Sequence, residues 1–344
     1  MTQTKIDAQG LLSRIRSPLT PLTEEARGVG IACTVGFAAS FLSEHYSAPA
    51  MLIALLLGMA LNFLSEDERS AQGIEFSASV VLRTGIALLG FRIAFSDVLD
   101  LGWQVLGLVV GGVVLTILFG LVAARSVGVN ARMGVLTGGA VAICGASAAM
   151  AIAAALPQSP DKERNTAFVV VGVTALSTLA MIVYPILATL YDLSDHAAGV
   201  FLGGTIHDVA QVVGAGYSVS PTAGDVATLT KLLRVSMLAP VVLILSLVFR
   251  TGQAGDSQRP PILPGFLVAF ILCTLLNNLV QLPASLLESI NALSRYCLVA
   301  AIAAIGLKTD LRSLAHIGLK PVLLLLAETL WLIGLVLLGL RVLG

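Results

Sequence analysis

Charge is what this sequence has least of. Only 12% of its 344 residues are Asp, Glu, Lys or Arg, and twenty bases balance twenty acids to a net charge of +0. Sparse and balanced charge leaves no electrostatic footprint for nucleic acid. Cysteine is scarce too: Cys33, Cys144, Cys273 and Cys297 all fall in apolar runs, and no two have CxxC spacing. A disulfide framework or zinc site is thereby disfavoured, and Cys33, Cys273 and Cys297 read as small packing residues. Walker A, Ser-x-x-Lys and His-Glu-x-x-His motifs are missing, so ATP-driven transport and membrane proteolysis get little support. No enzyme activity, metal or cofactor is expected.

What the chain has in quantity is apolar sequence. It is 57% hydrophobic with a mean hydropathy of +0.94, which fits a polytopic membrane protein and no soluble domain of this size. Residues 1–27 are polar and basic, lack the pattern of a signal peptide, and read as a short cytoplasmic tail. Residues 28–344 read as a single transmembrane domain. At about 20 apolar residues per crossing, eleven segments are expected: 28–42, 49–64, 75–95, 103–124, 132–156, 166–190, 196–216, 226–249, 262–282, 286–307 and 319–340. With the N-terminus inside, the cytoplasmic side collects most loop bases, from Lys5 and Arg14 to Arg125, Arg132 and Lys320. The outer side then holds Arg92, Lys162, Arg164, Lys231, Arg234, Arg295 and Arg341.

Two junctions look alike: Ile86 to Trp103 and Ile302 to Leu319. Both set Ile-Ala before a glycine (Gly90, Gly306), then a base (Arg92, Lys308) and a later glycine (Gly102, Gly318). Extended backwards without gaps, the alignment superposes Asn62 on Asn278. The copies are an odd number of spans apart, the arrangement of an inverted repeat.

The fifth segment carries GGAVAICGASAAMA, Gly138 to Ala151. Gly138, Gly139 and Gly145 each weaken a helix by about 1 kcal/mol relative to alanine. They suit either an interrupted helix lining a site or a straight one whose small face (Gly134, Gly138, Ala142, Gly145) packs on a neighbour. The seventh carries GGTIHDVAQVVGAG, Gly203 to Gly216. Its His207, Asp208 and Gln211 are polar in an apolar run, and on a helix His207 and Gln211 share a face. They suit substrate contact or proton coupling; a structural hydrogen-bonded cluster is the alternative. In KLLRVSMLAP, Lys231 suits snorkelling to the outer headgroups, while Arg234 suits either that or an oxyanion-binding fork. Arg83, Asn62, Asn277, Asn278 and Glu328 are further intramembrane polar groups, with Glu328 one partner available to Arg83.

Together, GGAVAICGASAAMA, LGGTIHDVAQVVGAG and KLLRVSMLAP resemble the YeiH-like family of proposed sulfate exporters. That family is similar to the superfamily of cation/proton antiporters and bile-acid symporters. The resemblance implies an all-α polytopic fold with inverted repeats and crossed discontinuous helices, a homodimer, and an elevator-like shift in the bacterial inner membrane. It also implies export of sulfate or a related small oxyanion. The sixth segment lacks the aspartate pair of that superfamily's proton antiporters, which argues against cation exchange. The site is expected to use Gly138, Gly139, Cys144, Gly145, Ser147, Gly203, Gly204, Thr205, Gln211 and Arg234 for the anion, and His207 with Asp208 for protons. Secondary candidates are Lys231, Asn62, Asn278 and Arg83. A sodium- or proton-coupled organic-anion symporter and a membrane sensor or assembly subunit without flux are the alternatives; unbroken fifth and seventh helices would favour the last.

Overall fold

All eleven expected segments are present, and the fifth and seventh are each interrupted. The computed structural model describes residues 20–344 apart from 47–48, 95, 97–98, 100, 158, 250–264, 281, 310–318 and 344. Gly318, Arg250, Arg259, Arg312 and most of the N-terminal tail therefore lie outside the described residues. The described elements are helical, and seven are long and apolar enough to cross a membrane. In chain order they are α1 (Thr20–Tyr46), α2 (Ala50–Ala60), α3 (Glu68–Arg92, with a π-turn at Ser77–Val81) and α4 (Gly102–Val127). Next come α5 (Ala131–Ala142), α6 (Ala146–Ala155), α7 (Lys162–Leu190), α8 (Asp195–Thr205) and α9 (Val209–Val219). The chain finishes with α10 (Pro221–Ser236), α11 (Leu238–Val248), α12 (Gly265–Leu279), α13 (Ala284–Lys308) and α14 (Leu319–Leu343).

The two interrupted segments fold back on themselves. A Cβ on Gly139 of α5 would strike Ile152 Cδ1 of α6. Those residues are thirteen apart in sequence, so two helices in line would separate them by about 20 Å. On α8 and α9, a Cβ on Gly199 would lie 2.9 Å from the Ala223 carbonyl oxygen, and one on Gly216 3.1 Å from the same atom. Both arms thus stand at one height beside α10. The pairs α5/α6 and α8/α9 are re-entrant hairpins with tips at residues 143–145 and 206–208.

Folding back changes which loops share a side. The α4–α5 and α6–α7 connections lie together, which puts Lys162 and Arg164 with Arg125 and Arg132 instead of opposite them. Because α7 crosses, the α7–α8 and α9–α10 connections share the other side, where Asp192 and Asp195 sit. The basic side is therefore more sharply basic than eleven simple crossings implied.

Local chemistry sets these ends. Gly128 closes α4 at φ 71°, and Asn130 caps α5 by accepting from the Arg132 amide at 2.7 Å. Ser194 caps α8, and Ser220 caps α10 ahead of Pro221. Packing of α5 on α4 uses the expected small face: a Cβ on Gly138 would stand 3.0 Å from the Thr116 carbonyl oxygen, and one on Gly134 2.8 Å from Ala124 Cβ. Interruption and close packing are both true of this segment.

The repeat is visible in contacts. The offset relating Asn62 to Asn278 also relates Gly58 to Thr274 and Gly90 to Gly306. A Cβ on Gly306 would lie 2.9 Å from Gly58 Cα, and one on Gly90 3.1 Å from the Thr274 amide. Asn62 donates to the Leu307 carbonyl at 2.7 Å, and Asn278 to that of Ile93 at 3.1 Å. Each asparagine ties one copy of the repeat to the other.

Candidate functional site

The hairpin tips meet at Gly145 and His207. After α5 the chain turns at Ile143 (φ −109°, ψ −83°), and Gly145 starts α6 at φ 64°, ψ −122°, a region open to glycine alone. A Cβ there would come 3.6 Å from His207 Cβ. In the second tip, Asp208 caps α9 by accepting from the Ala210 amide at 3.1 Å. The Asp208 amide in turn donates to Ser177 Oγ of α7 at 2.9 Å. His207 and Asp208 therefore sit in the break, and His207 shares no helix face with Gln211.

Two cations one turn apart on α10 hold both tips. The Lys231 Nζ donates to the carbonyls of Ile143 (2.8 Å), Ile206 (3.0 Å) and His207 (2.5 Å). Three carbonyl acceptors require three N–H groups, so this amine is an ammonium. Arg234 donates from Nε to Ala142 (2.9 Å), from Nη2 to Val141 (2.8 Å), and from Nη1 to Gly203 (3.0 Å) and Ile206 (3.1 Å). These oxygens are the C-terminal carbonyls of α5 and α8, which carry the negative ends of the helix dipoles and have no partners within the helix. Broken-helix transporters present such carbonyls to a coupling cation; here two side chains occupy them.

Lys231 is 0% exposed and Arg234 2%, which overturns the snorkelling expected for Lys231. The hairpin arms raise both bases into the bundle interior, away from any headgroup. Arg234 likewise offers no open fork, because four of its five N–H groups are spent on the backbone. With Asp208 ionised, the cluster still keeps one positive charge in excess. A cavity of about 10 Å³ lies beside Arg234, lined by Gly112, Val113, Ala142, Gly204, Leu332 and others. It holds at most one water.

The remaining expected residues divide. Cys144 is buried in the first tip, and Gln211 is buried with Oε1 unpartnered. His207 lies with Nε2 3.1 Å from Thr329 Oγ1 and Nδ1 without a well-formed hydrogen bond. Gly138, Gly139, Gly203 and Gly204 are buried packing positions on the arms. Thr205 spends its hydroxyl hydrogen on the Phe201 carbonyl at 2.6 Å. Ser147 is exposed on the face it shares with Met150, outside the cluster. Asn62 and Asn278 serve the repeat interface, and Arg83 is exposed on α3 with no tie to Glu328. Sequence reasoning missed Ser177, Thr137 and Thr329; a hydroxyl in an apolar helix is no signal by itself, and only the fold brings these to a tip or hairpin arm.

Residues 27–325 match the family described as Conserved hypothetical protein 698. The chain belongs to that family. It is 56% identical to UPF0324 membrane protein CT0845 of Chlorobaculum tepidum, over 90% of this chain and 87% of that one. It is 54% identical to UPF0324 membrane protein TauZ of Paracoccus denitrificans, over 92% and 95%. A UPF0324 membrane protein of Haemophilus influenzae is 33% identical over 85% and 88%. Among solved structures, the sodium proton antiporter MjNhaP1 of Methanocaldococcus jannaschii overlaps 91% of this chain and 97% of its own at 14% identity, with a TM-score of 0.27; so loose an overlap carries no argument. The family resemblance drawn from the motifs stands, and the chain is a multi-pass membrane protein.

Proposed function

We propose that this protein is a secondary transporter that exports a small oxyanion, sulfate or a sulfur-containing relative, from the bacterial cytoplasm. The observation that carries the reading is the junction of the two hairpin tips on Lys231 and Arg234. Opposed re-entrant hairpins give a site reachable from either side in turn, and one excess positive charge in a buried cluster favours an anion. The backbone N–H groups that open α6 at Gly145 have no side-chain cap; with the Gln211 amide they are the donors for the anion. His207 and Asp208 carry the proton coupling. The protein works as a homodimer in the inner membrane, N-terminus inside, with the hairpins shifting together as an elevator.

A sodium-coupled organic-anion symporter is less well supported, because the carbonyls that would ligate sodium are taken by Lys231 and Arg234. The interrupted fifth and seventh segments argue against a sensor without flux. The test is reconstitution in liposomes with labelled sulfate or sulfite, alone and under a pH gradient. Saturable flux is expected, reduced at least tenfold in Arg234→Lys combined with His207→Gln. Absence of saturable flux, or flux indifferent to that pair, overturns the reading. Thermal shift across sulfate, sulfite, bicarbonate, taurine and carboxylates then ranks the anions.

A further inference from the structure

We propose that Glu328 is a proton-binding site whose protonation is read by both hairpins, a role that rests on the transporter reading and adds a coupling group to it. Glu328 lies in the middle of α14 and is 0% exposed. Its Oε1 is 2.7 Å from Thr137 Oγ1 on α5, an arm of the first hairpin. Its neighbour Thr329 meets His207, the tip of the second hairpin, at 3.1 Å. Adjacent residues of one helix thus touch both moving parts.

The surroundings are built for this carboxyl. A Cβ on Gly120 would stand 2.6 Å from Oε1, so the glycine of α4 makes the space it occupies. The Thr137 hydroxyl also lies 2.9 Å from the Met133 carbonyl, yet it has one hydrogen for two acceptors. With Glu328 protonated on Oε1, the carboxyl donates to Thr137 and Thr137 donates to Met133, so both bonds form. With Glu328 ionised, Thr137 must turn to the carboxylate and release Met133. The carboxylate would then stand in an apolar wall on a single hydroxyl, since Oε2 has no partner, nor has Thr116 Oγ1 one helical turn from Gly120. Such isolation favours a neutral acid or a move to water. Loss of the proton therefore takes the Thr137–Met133 bond from α5 and sets an isolated charge between α14 and the first hairpin.

No countercharge competes for the role. The elements packed against α14 here are α4, α5, α7 and α8. Their charged and titratable residues are Arg125 and Arg132 at the loop ends of α4 and α5, Lys162, Glu163, Arg164 and Tyr184 of α7, and Asp195 with His196 at the start of α8. α14 itself adds Lys320 and Arg341 near its ends. Among the described residues none forms an ion pair with Glu328, and His207 is reached only through Thr329.

The test uses the full chain twice. Infrared difference spectra between acid and alkaline buffer in detergent are expected to show a carboxylic-acid band that Glu328→Gln removes and Thr137→Val shifts. In liposomes, Glu328→Gln is expected to reduce the pH dependence of anion flux at least twofold, leaving the part carried by His207 and Asp208. A band unchanged in both variants, or a pH dependence undiminished in Glu328→Gln, overturns the proposal. If the wild-type chain carries no anion at all, the transporter reading falls, and the infrared band alone still decides whether Glu328 binds the proton.

Discussion

The Lys231 ammonium donates to the Ile143 carbonyl at 2.8 Å, joining α10 to a hairpin tip eighty-eight residues earlier in the chain. The same group holds Ile206 and His207, so one side chain closes both tips. Lys231→Met keeps the stem and removes the donors. The carbonyls of Ile143 and His207 then lose this partner, at about 1–3 kcal/mol apiece, while that of Ile206 keeps Arg234, for a destabilisation of about 2 kcal/mol or more. Thermal unfolding in detergent is expected to fall by several degrees, with anion flux lost. A variant as stable as wild type would show that other donors replace the ammonium.

Gly145 stands at φ 64°, ψ −122°, with Val173 Cγ2 3.5 Å and His207 Cβ 3.6 Å from where a Cβ would be. The space nearly admits an alanine; the backbone does not. Gly145→Ala is therefore expected to destabilise by about 1–3 kcal/mol through conformation alone. A matched Gly30→Ala, at a helical site with open space around it, is expected to be neutral or slightly stabilising. Equal melting temperatures for the two variants would contradict the break as described.

Arg92 ends α3 with Nε 3.0 Å from Asp225 Oδ2 on α10, while the Tyr217 hydroxyl donates to Asp225 Oδ1 at 2.5 Å. The guanidinium also lies over the Tyr217 ring, 5.5 Å from its centre. This links the repeat that carries α3 to the second hairpin. Arg92 is 38% exposed, so solvent screens the pair. Arg92→Gln is expected to lower stability by no more than about 1 kcal/mol, with most of the difference gone in high salt. A salt-independent loss would mean that stacking on Tyr217 carries the contact.

The membrane character, the eleven segments and the position of the first interruption are legible in the sequence because each has a local cause. The second interruption, at residues 206–208, falls where a continuous helix would set His207 and Gln211 on one face. Apolar runs need length, and Gly138, Gly139, Gly145, Gly203 and Gly204 mark places where backbones meet or turn. The fate of Lys231 and Arg234 is not local. Hydropathy sees two bases near the start of an apolar run, assigns Lys231 to the headgroups and leaves Arg234 between headgroup and fork. Only the return of α9 beside α10 buries them, and that return depends on Gly216 lying against Gly224 and Ala223. The same limit applies to Glu328: its mid-span position is plain, but Thr137 and Gly120 are about 190 to 210 residues away in sequence.

The direction of the hairpins is open to direct measurement. If α5/α6 returns to the side it left, Arg132 and Lys162 flank connections on one face of the membrane, although a continuous fifth helix would separate them. In a chain with Cys33, Cys144, Cys273 and Cys297 replaced by alanine, Arg132→Cys and Lys162→Cys are expected to react with a membrane-impermeant maleimide from the same side. Asp195→Cys, on the α7–α8 connection, is expected to react from the other. With the N-terminus inside, the first two are labelled only after the cytoplasmic face is opened, and the third in intact cells. Labelling of Lys162→Cys from the side opposite to Arg132→Cys would replace the hairpin by a full crossing. It would also move Lys162 and Arg164 to the face opposite Arg125 and Arg132, and weaken the charge asymmetry on which the orientation depends.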